Sequence, residues 1–262
     1  MSAVSLTGAR LAFGDRVLWD QLDLTVSPGE FIAVLGPNGS GKTSLLRVLL
    51  GALPLSAGTA RVGEQRVSRG GERIGYVPQH RPMDRELTMR GRDLVRLGVD
   101  GHCLGTMPLR AAGRAHRRDA VRRALHQVNG EHLADLSVGQ MSGGELQRVR
   151  IAQALASDPM LLLCDEPLLT LDPANARLVA TLIDRRRQEA DTAIIFVTHD
   201  FNAVMRFVDR VLYLVDGRFR IGTVEEVMTT ETLSALYHAD IEVVQVKGRY
   251  VVVGEAAGDT HE

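Results

Sequence analysis

The most constraining feature of this sequence is a glycine-rich segment that joins an apolar run to a helical pattern. The run FIAVLG is typical of a buried strand, and residues 42–50 carry leucine and valine at helical spacing. The segment between them fits G-x-x-x-x-G-K-[ST], a phosphate-binding pattern when it lies between a strand and a helix. Its residues are Gly36, Pro37, Asn38, Gly39, Ser40, Gly41, Lys42 and Thr43. The sequence therefore predicts an α/β protein that binds a phosphate group.

Each residue type in this loop suits a bound nucleotide. Glycines allow successive N–H groups to point at phosphate oxygens, and the helix N-terminus adds its dipole. Lys42 can reach the terminal phosphates, and the Thr43 hydroxyl can ligate Mg²⁺. The alternative is a glycine-rich turn that contains a lysine by coincidence. Because kinases, GTPases and motor ATPases share this loop, it indicates a nucleoside triphosphate without identifying the reaction.

Polar side chains follow three other apolar runs at the points where these predicted strands end. Asp165 and Glu166 follow MLLLC, Thr198 and His199 follow AIIFV, and Gln79 ends RIGYVPQ. Ligands of parallel sheets lie at the carboxyl ends of the strands. We expect Asp165 to hold Mg²⁺, Glu166 to orient or deprotonate a water, and His199 to contact the γ-phosphate. A solvated turn is the alternative for the two acids, and a structural role is the alternative for His199.

The rest of the chain predicts two sheets, a helical insertion and a short extension. Residues 3–14 and 17–30 alternate in the manner of antiparallel strands. Apolar runs separated by helical stretches in the second half indicate a mostly parallel, doubly wound sheet. Helical periodicity and many arginines over about residues 81–156 predict a helical subdomain. The stretch IEVVQVKGRYVVV predicts a β-hairpin, so we divide the chain into a domain at 1–222 and an extension at 223–262.

The segment MSGGELQ at residues 141–147 places two glycines where a helix begins. Ser142 and Glu145 have the spacing of a capping box. A cap does not require Gly143 and Gly144, each of which costs about 1 kcal/mol relative to alanine inside a helix. We therefore expect the exposed backbone at these glycines to serve a further purpose.

The ordered set GPNGSGKT, YVPQ, MSGGE, LLLCDEP, TLD and VTHD, over about residues 4–222, resembles the nucleotide-binding subunits of ATP-binding-cassette (ABC) transporters. The resemblance implies a P-loop NTPase fold with an N-terminal antiparallel β-subdomain, a RecA-like parallel core sheet and an inserted helical subdomain. It also implies ATP and Mg²⁺ as ligands. In that family MSGGE is the signature motif, which contacts ATP held by a second copy, so that two subunits enclose two ATP molecules head to tail.

The resemblance also assigns roles to single residues. Phe13 resembles the aromatic residue that stacks on adenine, with a core position as the alternative. Gln79 resembles the link to a membrane partner, Glu166 the catalytic base, His199 the switch histidine and Asp172 the D-loop acid across the dimer. The implied nucleotide contacts are Phe13, residues 36–43, Ser142, Gly143, Gly144, Asp172 and Thr198. The implied metal ligands are Thr43, Gln79 and Asp165.

Three positions depart from the usual family pattern. Met141 replaces leucine, Glu145 replaces glutamine, and Leu169-Thr170 replaces a small serine-alanine pair. None of these changes removes a group that hydrolysis itself requires. Because an acid near a phosphate is unfavourable, we expect Glu145 to cap its own helix instead of contacting ATP.

The implied function is ATP hydrolysis that powers a separate membrane permease. Residues 90–102 and 231–253 resemble the metal-ion branch of the family, which serves zinc or manganese importers with an extracytoplasmic solute-binding protein. The net charge of −1, from 31 basic and 32 acidic residues, gives no overall attraction to nucleic acid. The sequence has no signal-peptide pattern and no long apolar run. We therefore expect a cytoplasmic protein, held at the inner face of the plasma membrane by the permease.

Two other classes of function are the alternatives. Soluble ABC ATPases act on DNA, on ribosomes or in cluster assembly. The interval from Lys42 to Ser142 is too short for the coiled coil of the DNA-repair type, and one cassette does not match the paired cassettes of the ribosomal type. Cluster assembly stays open. A nucleotide-sensing subunit without turnover is disfavoured by the presence of Lys42, Asp165, Glu166 and His199.

Overall fold

The computed structural model describes residues 2–68, 73–79, 88–100 and 111–254. In these ranges the strands are β1 (Val4–Phe13), β2 (Arg16–Val26), β3 (Phe31–Leu35), β4 (Ala57–Val62), β5 (Gln65–Arg66), β6 (Ile74–Val77), β7 (Leu161–Asp165), β8 (Ala193–Val197), β9 (Arg210–Val215), β10 (Arg218–Gly222), β11 (Glu242–Val246) and β12 (Arg249–Val253). The helices there are α1 (Lys42–Leu49), α2 (Gly91–Asp100), α3 (Ala111–Gln127), α4 (Gly143–Leu155), α5 (Pro173–Ala190), α6 (Val224–Val227) and α7 (Thr230–Tyr237). None of the helices in the described ranges is long and apolar enough to cross a membrane.

The N-terminal sheet is antiparallel, with strand order β2-β1-β4-β5. Its alternating apolar side chains, such as Leu6 and Leu22, are buried in one core together with Leu45 and Leu49 of α1. This confirms the predicted antiparallel β-subdomain. The strands β4 and β5 were not predicted, because AGTARV has no run of strongly apolar residues.

The central sheet has the order β10-β9-β3-β8-β7-β6. Its pairs from β9 to β6 are parallel, and β10 joins β9 as an antiparallel edge strand. All residues of β3, β7 and β8 are buried, which explains their continuous apolar sequences. Alternate side chains of β3 enter two different cores, one shared with α1 and one shared with α4 and α5. The doubly wound parallel sheet is confirmed.

The predicted helical subdomain contains α2, α3 and α4, which pack against one another. Buried side chains from each helix, such as Leu94, Ala124 and Val149, belong to the same core as the sheet residue Phe196. Residues 81–87 and 101–110 of the predicted subdomain lie outside the described residues.

The C-terminal extension consists of α6, α7 and the hairpin β11-β12. The hairpin turns at Lys247 and Gly248, which have φ angles of 50° and 75°, as a two-residue turn of this kind requires. The buried residues Val227, Leu233 and Ile241 join the core that contains α4 and α5. The helices α6 and α7 were not predicted, and the domain boundary at residue 222 stays a prediction.

Candidate active site

The loop between β3 and α1 is shaped by close contacts of its glycine backbone. Gly36 has a φ of 134°, and a Cβ there would lie 2.0 Å from the Leu214 carbonyl oxygen. Gly41 has a φ of 99°, and a Cβ there would lie 3.0 Å from the Trp19 Nε1 atom. Both positions therefore require glycine, since a side chain would be strained and would collide with the sheet or with Trp19.

Lys42 lies within the curve of this loop. Its Nζ donates hydrogen bonds to the carbonyl oxygens of Gly36 (2.6 Å) and Pro37 (2.8 Å). Burial lowers the pKa of Lys42, while the charges of Glu166 and Asp165 oppose that change. The ammonium group is thus held at the place where the loop would receive phosphate oxygens.

Asp165 lies at the end of β7, where its buried carboxylate accepts two hydrogen bonds. Thr43 Oγ1 donates to Oδ1 (3.0 Å), and the Tyr76 hydroxyl donates to Oδ2 (3.3 Å). Burial raises the pKa of Asp165, and both hydrogen bonds oppose this effect. Burial and the nearby Asp165 also raise the pKa of Tyr76 to about 12. The carboxylate and hydroxyl oxygens form a donor set that suits Mg²⁺, and a cation there would offset the buried negative charge.

Tyr76 was missed in the sequence analysis. It lies within RIGYVPQ, and only the pairing of β6 with β7 places it beside the strand that ends at Asp165. No local pattern marks such a residue, because its role depends on which strand lies next to its own.

Glu166 meets the side chains that end two neighbouring strands. Its Oε1 lies 2.5 Å from His199 Nε2, and its Oε2 accepts a hydrogen bond from Gln79 Nε2 (3.1 Å). Glu166 has a φ of 50°, a left-handed conformation that is uncommon for a residue other than glycine. Its backbone N–H donates to the Val197 carbonyl oxygen (3.0 Å). Three residues predicted from separate strand ends are therefore in contact.

Thr198 lies between the β8 strand and His199. Its Oγ1 accepts a hydrogen bond from the Asp200 backbone N–H (3.1 Å), and its side chain is buried. Thr198 and His199 line one cleft together with Gly36 and Pro37. The end of β8 and the phosphate loop therefore face the same space.

Phe13 lies at the end of β1 and is 51% exposed. The alternative that Phe13 is a core residue is therefore wrong. Phe13 is paired with Arg16 across the turn to β2. The Nη2 atom of Arg16 donates a hydrogen bond to the Gly39 carbonyl oxygen (3.0 Å). This turn is thus bonded to the phosphate loop, and its exposed aromatic ring is available for stacking.

Ser142 and Glu145 cap α4 as predicted. Ser142 Oγ accepts a hydrogen bond from the Glu145 N–H (3.3 Å), and Glu145 Oε2 accepts one from the Ser142 N–H (2.8 Å). The Ser142 hydroxyl also lies 2.7 Å from Glu145 Oε2 and donates to it, and the two bonds that this carboxylate accepts from Ser142 lower the pKa of Glu145. The expectation that Glu145 caps its own helix is confirmed.

The two glycines after Ser142 have different surroundings. A Cβ on Gly144 would lie 2.6 Å from Asn175 Oδ1, whereas a Cβ on Gly143 would meet no described atom within 4 Å. Asn175 Nδ2 donates to Asp172 Oδ2 (2.5 Å), and Asp172 Oδ1 accepts from the Ala174 and Asn175 N–H groups that begin α5. Gly144 thus has a packing reason within this chain, while the described part of the chain gives none for Gly143.

The family of this chain follows from a comparison with known proteins. The model of the family described as ABC transporter matches residues 19–169, which is more than half of the chain. The chain belongs to the ABC transporter family. Its nucleotide-binding domain therefore has the ATP-hydrolysing character of that family, whose ATPase subunits work as dimers with membrane permeases.

Curated ABC relatives cover most of the chain. A zinc import ATP-binding protein ZnuC from Paramagnetospirillum magneticum is 38% identical over 82% of this chain and 74% of that protein. The ZnuC proteins of Yersinia pestis and Cereibacter sphaeroides are 34% and 41% identical, over 89% and 76% of this chain and 84% and 73% of those proteins. These relatives favour transport over the soluble alternatives.

Solved structures of ABC proteins share the fold. An inward-facing metal-chelate type ABC transporter is 28% identical, with a TM-score of 0.80 over 99% of both chains. A dimeric ATP-binding cassette bound to ADP and Pi is 26% identical, with a TM-score of 0.68 over 84% of this chain and 98% of that chain. The P-loop NTPase fold of the ABC type is therefore confirmed.

Residues 168–171, which overlap the segment that resembles the ABC D-loop, lie beside Glu166. Residues 168–171 line a cleft of about 590 Å³ together with Glu166, His199 and Arg249. The Leu169 side chain is 42% exposed. The leucine that replaces the usual small residue therefore projects outward from this chain.

Proposed function

We propose that this chain is the ATP-hydrolysing subunit of a zinc importer. The observation that carries hydrolysis is the contact of Glu166 with both Gln79 and His199, next to a phosphate loop that holds Lys42. The observation that supports zinc is the identity of 34–41% to zinc import ATP-binding proteins over most of the chain.

In the proposed reaction the phosphate loop binds the ATP phosphates through backbone N–H groups and Lys42. Asp165 and Thr43 would hold a Mg²⁺ ion, which when bound would supply neutralisation of the charge on the phosphate oxygens. Glu166 accepts a hydrogen bond from the attacking water and orients it toward the γ-phosphate. Its contacts with Gln79 and His199 hold the carboxylate in place for this task.

A second copy of the chain completes the proposed site. The N-termini of α4 and α5, which carry Ser142, Gly143, Gly144 and Asp172, would face ATP held by the phosphate loop of that copy. The free space at Gly143 supports this arrangement, because the described residues of this chain leave the backbone there open to contact by another molecule. Phe13 stacks on the adenine ring in this proposal.

The remaining partners are an integral membrane permease and an extracytoplasmic zinc-binding protein. Gln79 contacts Glu166 and is followed by the helical subdomain, so it is placed to transmit changes at the nucleotide to a permease. The proposed location is the inner face of the plasma membrane, where the chain is held by the permease.

The direct test is zinc uptake by liposomes that contain the chain and its permease, with the zinc-binding protein added outside. We expect ATP enclosed in the liposomes to drive zinc uptake with the wild-type chain and not with Glu166→Gln. Manganese offered at the same concentration serves as the matched control. Uptake of manganese but not zinc would contradict the zinc assignment, and equal uptake with Glu166→Gln would contradict the role of Glu166.

A further inference from the structure

The C-terminal hairpin holds the chain segment that follows His199. The Asn202 side chain accepts a hydrogen bond from the Tyr250 backbone N–H (2.9 Å) and donates one to the Tyr250 carbonyl oxygen (2.9 Å). We call these two hydrogen bonds the clasp. Beside the clasp the rings of Phe201 and Tyr250 are in contact, with centroids 6.1 Å apart. The hairpin is therefore bonded to a residue three positions after His199.

The other side of the hairpin is fixed to the central sheet through α7. Ser234 Oγ accepts a hydrogen bond from the Ile241 N–H (3.1 Å) and donates one to the Ile241 carbonyl oxygen (2.9 Å). The Tyr237 hydroxyl of α7 lies 3.2 Å from the Tyr213 hydroxyl of β9. Because β9 pairs with β3, the hairpin is anchored to the strand next to the one that leads into the phosphate loop.

The hairpin also lies close to the phosphate loop itself. A cleft of about 300 Å³ is lined by Gly36 and Pro37 of the loop, by His199 and Asn202, and by Tyr250 of the hairpin. A displacement of the hairpin would therefore change one wall of the space next to the nucleotide site.

The segment that carries His199 has little regular structure of its own. After β8 it forms two short 3-10 turns, Phe201–Ala203 and Met205–Phe207, which provide few backbone hydrogen bonds compared with a long helix. The contact between His199 and Glu166 thus depends on groups outside the segment, and the clasp at Asn202 is one of them.

We propose that Asn202 is a positioning residue for ATP hydrolysis, because its clasp on the hairpin fixes the segment that carries His199. This inference rests on the proposed function, since it assumes that His199 and Glu166 act in hydrolysis. It gives the C-terminal extension a task in catalysis, although no group of the hairpin is assigned a part in the reaction itself.

The test compares three variants of the full chain. Asn202→Ala removes both hydrogen bonds, and Asn202→Asp keeps the acceptor but not the donor. Tyr250→Phe is the matched control, because the clasp uses only the backbone of Tyr250. Amide hydrogen exchange at Tyr250 reports whether the clasp has opened in each variant.

We expect the kcat of Asn202→Ala to fall about tenfold, since a 1 Å misplacement of a reacting group can cost about 100-fold. Asn202→Asp should lie between that variant and the wild type, and Tyr250→Phe should match the wild type. The ATP dissociation constant and the unfolding temperature should stay unchanged in all three. This separation of kcat from binding and stability distinguishes a positioning role from a structural one.

Two outcomes would overturn the proposal. One is an Asn202→Ala variant whose Tyr250 amide exchanges freely while its kcat stays within about twofold of the wild type. The other is a loss of kcat that comes with weaker ATP binding or a lower unfolding temperature. Glu166→Gln measured alongside separates the two hypotheses, because its inactivity would support the proposed function even if Asn202→Ala is fully active.

Discussion

The phosphate loop and the signature segment at residues 142–145 both present a helix N-terminus, but they differ in where their polar groups find partners. Around the phosphate loop, Lys42, Asp165 and Glu166 contact groups from the loop itself, from α1 and from the segment after β8. In the signature segment, Ser142 and Glu145 bond to each other across one helical turn. Folding of one chain therefore builds the first site, whereas in the proposed dimer the second offers a capped helix end to the other copy.

The largest effect that follows from this contrast is expected at Glu166. Glu166→Gln should lower kcat by about 10²–10⁴-fold, the range that general acid–base groups contribute, while ATP binding to the monomer stays intact. Phosphate release measures the kcat. Gel filtration with ATP measures whether the variant still binds ATP, and the variant should accumulate as a dimer. Glu189→Gln, at an exposed residue of α5, is the control. Turnover like that of the wild type in Glu166→Gln would contradict its role as the base.

The two glycines test whether the signature segment serves a second molecule. Gly143→Ala should leave folding unchanged or raise the free energy of unfolding by up to about 1 kcal/mol, yet it should lower hydrolysis at least about tenfold by blocking the exposed backbone. Gly144→Ala should lower hydrolysis to a similar extent and should also lower stability, because its Cβ displaces the Asn175 amide. ATP binding to the monomer should survive in both variants.

Asn175→Ala supplies the control for Gly144. In the double variant with Gly144→Ala, the unfolding temperature should recover because the colliding amide is gone, whereas hydrolysis should stay low. If hydrolysis recovers together with stability, Gly144 serves only to make room for Asn175, and the contrast between the two sites is weaker than proposed.

The variant Tyr76→Phe tests how much a hydrogen bond within one chain stabilises the site around the phosphate loop. Tyr76→Phe removes a hydrogen bond to the buried Asp165 carboxylate and should lower the free energy of unfolding by about 1–2 kcal/mol at neutral pH. Burial already raises the pKa of Asp165, so protonation of this group favours folding. That contribution is present below its ordinary pKa and is lost as the pH rises through the raised value. Denaturant unfolding at several pH values should therefore show the variant approaching the wild type in acid, and an equal difference at every pH would contradict this account.

The smallest effect is expected at Glu145. Glutamine can also serve in a capping box, so Glu145→Gln should change the free energy of unfolding by less than about 0.5 kcal/mol and turnover little. The lowered pKa of Glu145 means that its charge stabilises the fold above its ordinary pKa, and this contribution is lost as the pH falls through the lowered value. Thermal unfolding of both proteins across acidic pH measures it. A several-fold change in rate at unchanged stability would mean that Glu145 acts on ATP.

The groups that the sequence predicts to lie together, and that the structure brings together, are those marked by a local pattern. Lys42 follows a glycine-rich loop, and Glu166, His199 and Gln79 each follow an apolar run, so the shared edge of a parallel sheet places them together. Tyr76, Asn175 and Asn202 carry no such mark. The contacts of Tyr76 depend on strand order, those of Asn175 on how α5 lies against α4, and those of Asn202 on how the C-terminal extension packs. None of these is specified by a short stretch of sequence.

The C-terminal extension shares one hydrophobic core with the rest of the chain, which limits the segments that could replace it. Val227, Leu233 and Ile241 of the extension are buried with residues of α4, α5 and the central sheet. A chain cut after Gly222 would leave the surface that these side chains cover open to water, and apolar surface of that kind favours aggregation. Replacing the extension with another C-terminal segment therefore requires that the new segment fill the same apolar positions.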